Sequence, residues 1–221
     1  MVEEVKLFES GDNELTNCTL LSKLISLGCA DCDVLYIHSE LNFGLPNKRL
    51  SRKEILNNII DVIQSLHVDT IIFPVFTFSF CNKEVFDVQN SASSMGALNE
   101  YVRKHVLGYR TKDPILSNYI IGKYVDVEPD NIYTLGLDSG FDKLTKMNKK
   151  VKFLFLGADP NKCFTYTHYV EAMIGVPYRY NREFRGDIVN YNNVDKDKIS
   201  VVYTGYSNFK PTSKNIISNQ N

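Results

Sequence analysis

The residues best suited to chemistry in this chain are a histidine and a glutamate three positions apart, His168 and Glu171, in the stretch Thr165-Tyr-Thr-His-Tyr-Val-Glu. An apolar run over 150–156 precedes them, so strand, loop and helix is the expected local order. Thr165 is placed to cap that helix, on which positions i and i+3 share one face. A base and a carboxylate would then meet at one cleft edge, although the same loose pattern also suits a structural histidine.

The length and composition of the chain are those of one globular domain. It has 221 residues, of which 43% are hydrophobic and 23% are charged, enough for one substantial core and unlike a disordered chain. We predict a single domain over residues 1–206. The Ser/Asn/Lys-rich residues 207–221 are expected to form a flexible tail.

Charge and hydropathy bear on the partners of the protein. The formal net charge is −1 and the lysines are dispersed, which argues against nucleic acid as a partner. No apolar run approaches the roughly 18 residues of a membrane helix, and the N-terminal residues do not resemble a secretory leader. We therefore expect a cytoplasmic protein without a membrane partner; a homo-oligomer stays open.

The five cysteines, at positions 18, 29, 32, 81 and 163, are odd in number and scattered, which does not indicate a disulfide framework. Cys29 and Cys32 form a C-x-x-C that follows a helical pattern and precedes a strand. A redox motif would open a helix instead, and no second Cys/His pair completes a zinc site. We interpret this motif as a helix-to-strand loop and expect no metal.

Hydrophobic periodicity predicts an α/β fold with helices on both faces of a mixed sheet. Helices are predicted over 14–28, 51–63, 95–103 and 165–174, and strands over 33–38, 69–77, 150–156 and 198–204. Residues 118–124 fit either state, and residues 1–13 show no pattern.

Eight short motifs occur in a fixed order along the chain. They are L-x-x-L-x-x-L-G, D-V-L-Y-I-H-S, F-P-V-F-T, F-D, S-S-M-G-A-L-N-E, R-T-K-D-P-I-L-S, F-L-F-L-G and T-x-x-H-x-x-E. In this order they resemble the aminoglycoside 3-N-acetyltransferase family from about Leu20 to Tyr180. The resemblance implies a three-layer α/β/α acyltransferase domain with a central mixed sheet. It also implies transfer of an acetyl group from acetyl-CoA to the amine of an amino sugar.

The resemblance also implies roles for individual residues. His168 would be the general base and Glu171 would orient it, with Glu100 as a further catalytic carboxylate. The positions similar to the CoA-binding stretches are Ser39, Thr77, Ser93, Ser94, Met95, Gly96, Arg110 and Ser117. Asp87 and Glu100 match acidic positions on the acceptor side. Which of these carboxylates contacts His168 is open at this point.

These residue types suit the chemistry. A sugar amine is mostly protonated at pH 7 and cannot attack a thioester until a proton leaves, so a base titrating near neutrality is needed. The tetrahedral oxyanion needs a donor, which backbone N–H groups or a hydroxyl such as that of Thr77 or Thr165 would supply. No covalent enzyme intermediate is required.

Three features depart from the family pattern. The chain has Asp113 where the family segment R-S-x-H-P carries its histidine, which puts the role of that position in doubt. After Ser39 the usual Gly-Gly turn is replaced by a segment with Lys48 and Arg49. The chain also ends soon after its last predicted strand, so we expect a less enclosed acceptor site.

Several functions compete. Acidity near the predicted site is modest for a polycationic drug, which favours a nucleotide-linked or other carbohydrate amine of surface polysaccharide synthesis as acceptor. An aminoglycoside acceptor, as in antibiotic resistance, is the alternative. A non-catalytic relative that binds CoA or a sugar nucleotide is a further one, and a hydrolase with Cys163 as nucleophile ranks last. For Ser39, Thr77, Asp87 and Glu100 an ordinary structural role remains open.

Overall fold

The structure is a computed structural model that describes residues 3–205. The predicted tail over 207–221 lies outside the described residues. The strands are β1 (Lys6–Ser10), β2 (Asn13–Thr16), β3 (Val34–Ser39), β4 (Leu45–Pro46), β5 (Thr70–Pro74), β6 (Phe86–Asp87), β7 (Tyr109–Arg110), β8 (Asn118–Gly122), β9 (Val151–Leu156), β10 (Arg179–Val189) and β11 (Val194–Gly205). The helices are α1 (Asn17–Ser26), α2 (Arg52–Gln64), α3 (Ala97–His105), α4 (Gly140–Lys146), α5 (Pro160–Cys163) and α6 (Tyr166–Ile174).

A five-stranded sheet in the order β7-β8-β5-β3-β9 forms the centre of the molecule. Strand β3 runs parallel to both neighbours, with Val34 opposite Thr70 on β5 and Val151 on β9. Strand β8 is antiparallel to β5 and β7. The predicted mixed sheet is confirmed, and residues 118–124, which fitted either state, contain strand β8.

Both faces of this sheet are buried. Leu35 and Ile37 of β3 point into the core formed with α1 and α2, whereas Val34 and Tyr36 point into the core formed with α4 and α6. Side chains on a strand alternate between faces, so an unbroken apolar run such as this one requires cover on both sides. The three-layer α/β/α architecture is therefore confirmed.

The helix caps follow the sequence signals closely. Ser51 accepts a hydrogen bond from the Glu54 N–H at 3.2 Å, and the Glu54 carboxylate accepts from the Ser51 N–H at 2.7 Å, so the S-x-x-E sequence at the start of α2 forms a capping box. Ser139 caps α4 by accepting from the Asp142 N–H. Gly28 follows α1 with φ +75°, a conformation that favours glycine after a helix.

Two hairpins were not predicted. Residues near the N-terminus form β1 and β2, which pair antiparallel and are extended by β4 into a small second sheet. The predicted strand over 198–204 is the end of a long hairpin formed by β10 and β11, which joins β6 in a third sheet. Charged and polar residues occupy much of both hairpins, so their apolar alternation is weak.

The predicted cap at Thr165 is wrong. This residue adopts helical backbone angles, φ −58° and ψ −26°, and its hydroxyl makes no capping hydrogen bond. The one-turn helix α5 comes first, capped by Asp159, which accepts from the Asn161 N–H at 3.0 Å. Helix α6 follows α5 after a short connection. His168 and Glu171 lie on one face of α6, as their spacing predicts.

The C-x-x-C lies in the predicted helix-to-strand loop between α1 and β3, where the Cys32 thiol donates to the Cys29 carbonyl at 3.3 Å. Within residues 3–205, none of the helices has the length and apolar character needed to cross a membrane. The same residues contain no group of three or more His, Cys, Asp or Glu side chains arranged to hold a metal ion.

Candidate active site

A cleft of about 560 Å³ opens where β3 and β5 end, between the start of α6 and the strand β11. Ligands of open α/β sheets bind at the carboxyl ends of parallel strands. His168 and Arg179 lie on one wall of this cleft, and Ser39, Met95 and Gly96 lie on another part of its lining. The cleft therefore brings together residues from distant parts of the chain.

His168 and Glu171 are in direct contact. The Nδ1 atom of His168 lies 2.8 Å from Glu171 Oε2, and the imidazole side chain is 41% exposed. When Nδ1 carries the proton and donates it to Glu171, the lone pair is on Nε2. That arrangement is the one a general base requires, with the carboxylate orienting the ring.

The Glu171 carboxylate has two further partners. The Tyr178 hydroxyl donates to Oε1 at 3.0 Å, and Arg179 Nε lies 2.7 Å from Oε2. Burial alone raises the pKa of Glu171, but the hydrogen bonds from His168 and Tyr178 and the charge of Arg179 outweigh it and hold the pKa below its ordinary value. Glu171 is therefore a carboxylate at neutral pH.

Ser39, at the end of β3, is tied to α3 by a buried network. Its hydroxyl donates to Asn99 Oδ1 at 2.6 Å, and Asn99 Nδ2 donates to the Pro74 carbonyl at 2.6 Å. Asn99 is completely buried and lines the cleft. This residue holds the ends of β3 and β5 and the start of α3 in one arrangement.

Comparisons with known proteins place this chain in a family. The family model described as aminoglycoside 3-N-acetyltransferase matches residues 68–217, more than half of the chain. The chain belongs to this family. Its members are acyl-CoA-dependent N-acetyltransferases that use acetyl-CoA, so the family resemblance and the enzyme class predicted from the motifs are confirmed.

Solved structures show the same fold. A neutron/X-ray structure of sisomicin-bound AAC-VIa superposes with a TM-score of 0.68 at 18% identity, covering 85% of this chain and 76% of that one. AAC-IIIb in a binary complex with CoASH gives a TM-score of 0.65 at 18% identity over 86% and 76% of the two chains. The YokD protein from Bacillus subtilis gives 0.61 at 18% identity over 84% and 76%. No curated protein matches the sequence.

Met95 and Gly96, which the family resemblance links to CoA, line the cleft at the start of α3. Gly96 has φ +93°, a region that a residue with a Cβ rarely adopts, so a side chain here would strain the turn into the helix. Together with Ser39, these are the predicted CoA-binding positions that the structure brings to the cleft.

Thr77, Ser93 and Ser94 are engaged within the protein and are not among the residues that line the cleft. The Thr77 hydroxyl donates to the Pro114 carbonyl at 2.8 Å and accepts from the Ser79 hydroxyl at 2.8 Å. Ser93 Oγ accepts from the Met95 N–H, and the Ser94 hydroxyl donates to the Phe76 carbonyl at 2.9 Å. All three shape the loop that delivers Met95 and Gly96.

Arg110 and Ser117 lie in the interior instead of the cleft. Arg110 is 3% exposed and donates to the carbonyls of Val75 and Ser91, each at 2.6 Å, and to Ser117 Oγ at 3.1 Å. Its guanidinium carbon also lies 5.0 Å from the centre of the Phe86 ring. Burial lowers the pKa of Arg110 to about 10. These contacts give it a packing role that the motif alone does not distinguish from CoA binding.

Glu100 is likewise turned away from His168. Its carboxylate pairs with Arg103 at 2.8 Å and Lys104 at 2.9 Å and accepts from the Ser93 N–H at 2.8 Å. Burial raises its pKa, but these partners outweigh it and lower the pKa to about 2. The carboxylate that contacts the histidine is Glu171, a point that the sequence left open.

Asp87 is a turn residue outside the cleft lining. Its Oδ1 accepts from the N–H groups of Gln89 and Asn90 at 2.9 Å, and its Oδ2 accepts from Asn90 Nδ2 at 2.9 Å. Asp113, which stands where the family has histidine, accepts from the Ile115 and Leu116 N–H groups at 2.9 Å. Neither residue is among those that line the cleft with His168.

Two further residues of the cleft, Cys163 and His38, have surroundings that disfavour a chemical role. Cys163 lines the cleft, but its thiol donates to the Asp159 carbonyl at 3.2 Å and burial raises its pKa, which disfavours a thiolate nucleophile. His38, 4% exposed, stacks on Phe155 with ring centroids 5.3 Å apart. Burial lowers the pKa of His38 to about 4, so it is neutral at pH 7.

Arg179 was missed by the sequence analysis. It opens strand β10, eleven positions after His168. A basic residue following the His-x-x-Glu helix is the available sequence signal, but nothing local indicates that the chain turns back to place it there.

Proposed function

We propose that this protein transfers the acetyl group of acetyl-CoA to the amine of an amino sugar, with His168 as the general base. The observation that carries the proposal is the 2.8 Å contact between His168 Nδ1 and Glu171 Oε2 at the wall of the cleft. The family's acyl-CoA-dependent N-acetylation supports the reaction class.

The proton transfers follow from this pair. His168 Nε2 removes the proton that keeps the acceptor amine from reacting, while Glu171 holds Nδ1–H and stabilises the imidazolium that forms. The neutral amine then attacks the acyl carbon directly, and the thiol leaves as the amide forms. Such a base contributes about 10²- to 10⁴-fold to the rate.

The other wall of the cleft suits the acyl donor. Acetyl-CoA supplies the activated acetyl thioester. Phe76 and Met95 give this wall an apolar surface, Gly96 presents backbone without a side chain, and the Ser39 hydroxyl lies at the strand end. A pantetheine arm has the same mixture of apolar carbon and amide groups, so these residues fit it.

The charge of the cleft favours an anionic amino sugar as the acceptor. Among the described residues that line it, Glu40 is the only carboxylate, whereas Lys162 and Arg179 are cations. Asp87 and Glu100, the acidic residues expected on the acceptor side, are engaged elsewhere. A polycation would gain little here, while the phosphates of a nucleotide-linked amino sugar would meet positive charge.

An aminoglycoside is the second candidate acceptor, because AAC-VIa, which has the same fold, has been solved with sisomicin bound. The two candidates differ in charge, so one assay separates them. Thiol release from acetyl-CoA is measured with a nucleotide-linked amino sugar, the corresponding free amino sugar and sisomicin.

We expect the nucleotide-linked sugar to give the highest kcat/KM. A higher value for sisomicin would overturn the acceptor assignment and leave the acyl transfer standing. Absence of thiol release with every amine, together with calorimetric binding of CoA, would instead support a non-catalytic CoA-binding relative.

A further inference from the structure

Arg179 occupies a position between the two members of the His168–Glu171 pair. Its Nη2 lies 2.7 Å from His168 Nδ1, and its Nε lies 2.7 Å from Glu171 Oε2. The remaining nitrogen, Nη1, donates to the Tyr203 carbonyl at 3.2 Å. The side chain is 17% exposed and lines the cleft, so a ligand can reach it.

The Nδ1 atom cannot satisfy both neighbours. A neutral imidazole carries one proton, and the nitrogen without it can only accept. If Nδ1 holds the proton, it donates to Glu171, Nε2 is the free base, and an N–H of Arg179 faces another N–H. If Nε2 holds the proton, Nδ1 accepts from Arg179, and the ring has no acceptor left for an amine proton. Glu171 and Arg179 therefore favour opposite tautomers.

The Nη2 donor of Arg179 can turn from His168 Nδ1 to another acceptor. Its Nε is buried and, among the described residues, has no partner in hydrogen-bonding alignment, although the ion pair with Glu171 is short. A rotation of the guanidinium about its ion pair would move Nη2 off the histidine. Arginine binds phosphate and carboxylate oxygens with several N–H groups at once, so such a group in the cleft competes well for Nη2.

We propose that Arg179 is a positioning residue that sets the tautomer of His168, and that an oxyanion group of the bound ligand switches it. Without the oxyanion, Arg179 holds Nδ1 as an acceptor and the proton is on Nε2. When an oxyanion takes Nη2, Nδ1–H pairs with Glu171 and the Nε2 lone pair is free. This proposal rests on the proposed role of His168 as the base, and it couples that role to anionic ligands.

Other ionisable groups line the cleft or contact the His168–Glu171 pair. They are Tyr178 and Tyr203 beside Arg179, Lys162 and Cys163 of α5, and Glu40 and His38 at the end of β3. The oxyanion could belong to the phosphates of CoA or to those of a nucleotide-linked acceptor. Both present the same chemistry to Arg179, and the test separates them.

The test reads the tautomer directly from the ¹⁵N shifts of the His168 ring in the full-length protein, assigned with a His168→Gln variant. We expect Nε2–H in the free protein. Nδ1–H is expected either on adding CoA or on adding a nucleoside diphosphate, and the ligand that causes the change identifies the source. Arg179→Met should show Nδ1–H without any ligand, and Arg179→Lys should restore ligand dependence in part.

Lys162→Met is the matched control for the free protein, because it removes a cation from the same cleft, and the tautomer of His168 in the unliganded variant should equal that of the unliganded wild type. Nδ1–H in the free wild-type protein, or a tautomer that Arg179→Met does not change, would overturn the proposal. So would a wild-type ring that neither ligand affects.

A kinetic arm separates this proposal from the proposed function. In Arg179→Met, the preference in kcat/KM for a phosphate-bearing amino sugar over its uncharged counterpart should fall by at least about tenfold, the size of one charged hydrogen bond. This arm applies where the nucleoside diphosphate is the ligand that changes the tautomer, and an unchanged preference then contradicts the switch. If His168 is not the base, His168→Ala keeps full turnover. That outcome does not change the ¹⁵N shifts that report the tautomer.

Discussion

The Ser39 hydroxyl donates a 2.6 Å hydrogen bond to Asn99 Oδ1, which joins the end of β3 to the first turn of α3 across the floor of the cleft. The second polar atom of Asn99 donates to the Pro74 carbonyl at the end of β5. One completely buried side chain thus connects three elements that meet at the site.

Replacing Asn99 should destabilise the protein and widen the cleft. Asn99→Ala leaves the Ser39 hydroxyl and the Pro74 carbonyl without their partner, and we expect a loss of about 1–3 kcal/mol in the free energy of unfolding. Urea denaturation measures it. The exposed Asn148→Ala is the control and should change little; equal effects of the two substitutions would contradict the network.

Glu171→Gln should lower kcat by roughly 10²-fold, because a side-chain amide can donate to Nδ1 and so favours the tautomer with Nε2–H, which cannot act as a base. Steady-state kinetics with saturating acetyl-CoA measures it. Tyr178→Phe removes the hydrogen bond to the other carboxylate oxygen and keeps the contact with His168. Its kcat should fall much less, and losses of similar size would argue that Glu171 acts mainly through packing.

Glu100→Gln should reduce stability and leave turnover by the folded protein unchanged, since neither Glu100 nor its ion-pair partners are among the residues that line the cleft. The pKa of Glu100 is about 2, below the ordinary 4.5, so its ionised form stabilises the fold above pH 4.5 and this contribution is lost as the pH falls towards 2. We expect the variant to lose about 1–3 kcal/mol at pH 7 and much less near pH 2.

The experiment compares unfolding at the two pH values and includes the exposed Asp61→Asn as control. A stable Glu100→Gln protein with strongly reduced turnover would return Glu100 to the catalytic role that the family resemblance implied.

His38 and Asp113 should give the stability of the protein opposite pH dependences. The pKa of His38 is about 4 in the folded protein instead of 6.5. Between pH 4 and 6.5 the His38 imidazole is therefore protonated only in the unfolded chain, and the free energy of unfolding falls as the pH drops. Burial raises the pKa of Asp113 from 3.8 to about 6, so its contribution falls as the pH rises through that window.

Each effect amounts to about 3 kcal/mol across its window, so the two oppose each other in the wild type. Thermal or urea unfolding from pH 4 to 6.5 should therefore show stability decreasing with pH in His38→Phe and increasing with pH in Asp113→Asn. Parallel curves for the two variants would contradict both assignments.

The sequence predicts the centre of the fold well because β3, β5 and β9 are continuous apolar runs whose burial on both faces leaves few alternatives. His168 and Glu171 were found because their contact is local, three residues apart on one helix. The motif series also identified the family correctly.

The motifs do not predict contacts between segments that are far apart in the sequence. Arg110 and Glu100 occur in family-like motifs, yet the polarity of a side chain does not reveal whether it meets a ligand or a buried carbonyl. The Arg103 partner of Glu100 was visible at i+3, whereas Arg179 reaches His168 only because β10 returns to the cleft. Threonine is a preferred N-cap residue, but the preceding helix α5 leads into helical backbone angles at Thr165.

The proposed role of His168 as the base of an acetyl-CoA-dependent N-acetyltransferase is tested by the rate of thiol release by His168→Ala with saturating acetyl-CoA and amino sugar. His105→Ala, a substitution of a surface histidine at the end of α3, is the matched control. We predict that kcat falls by about 10²- to 10⁴-fold in His168→Ala and stays within a few-fold of wild type in the control. Wild-type turnover in a folded His168→Ala protein would contradict the account.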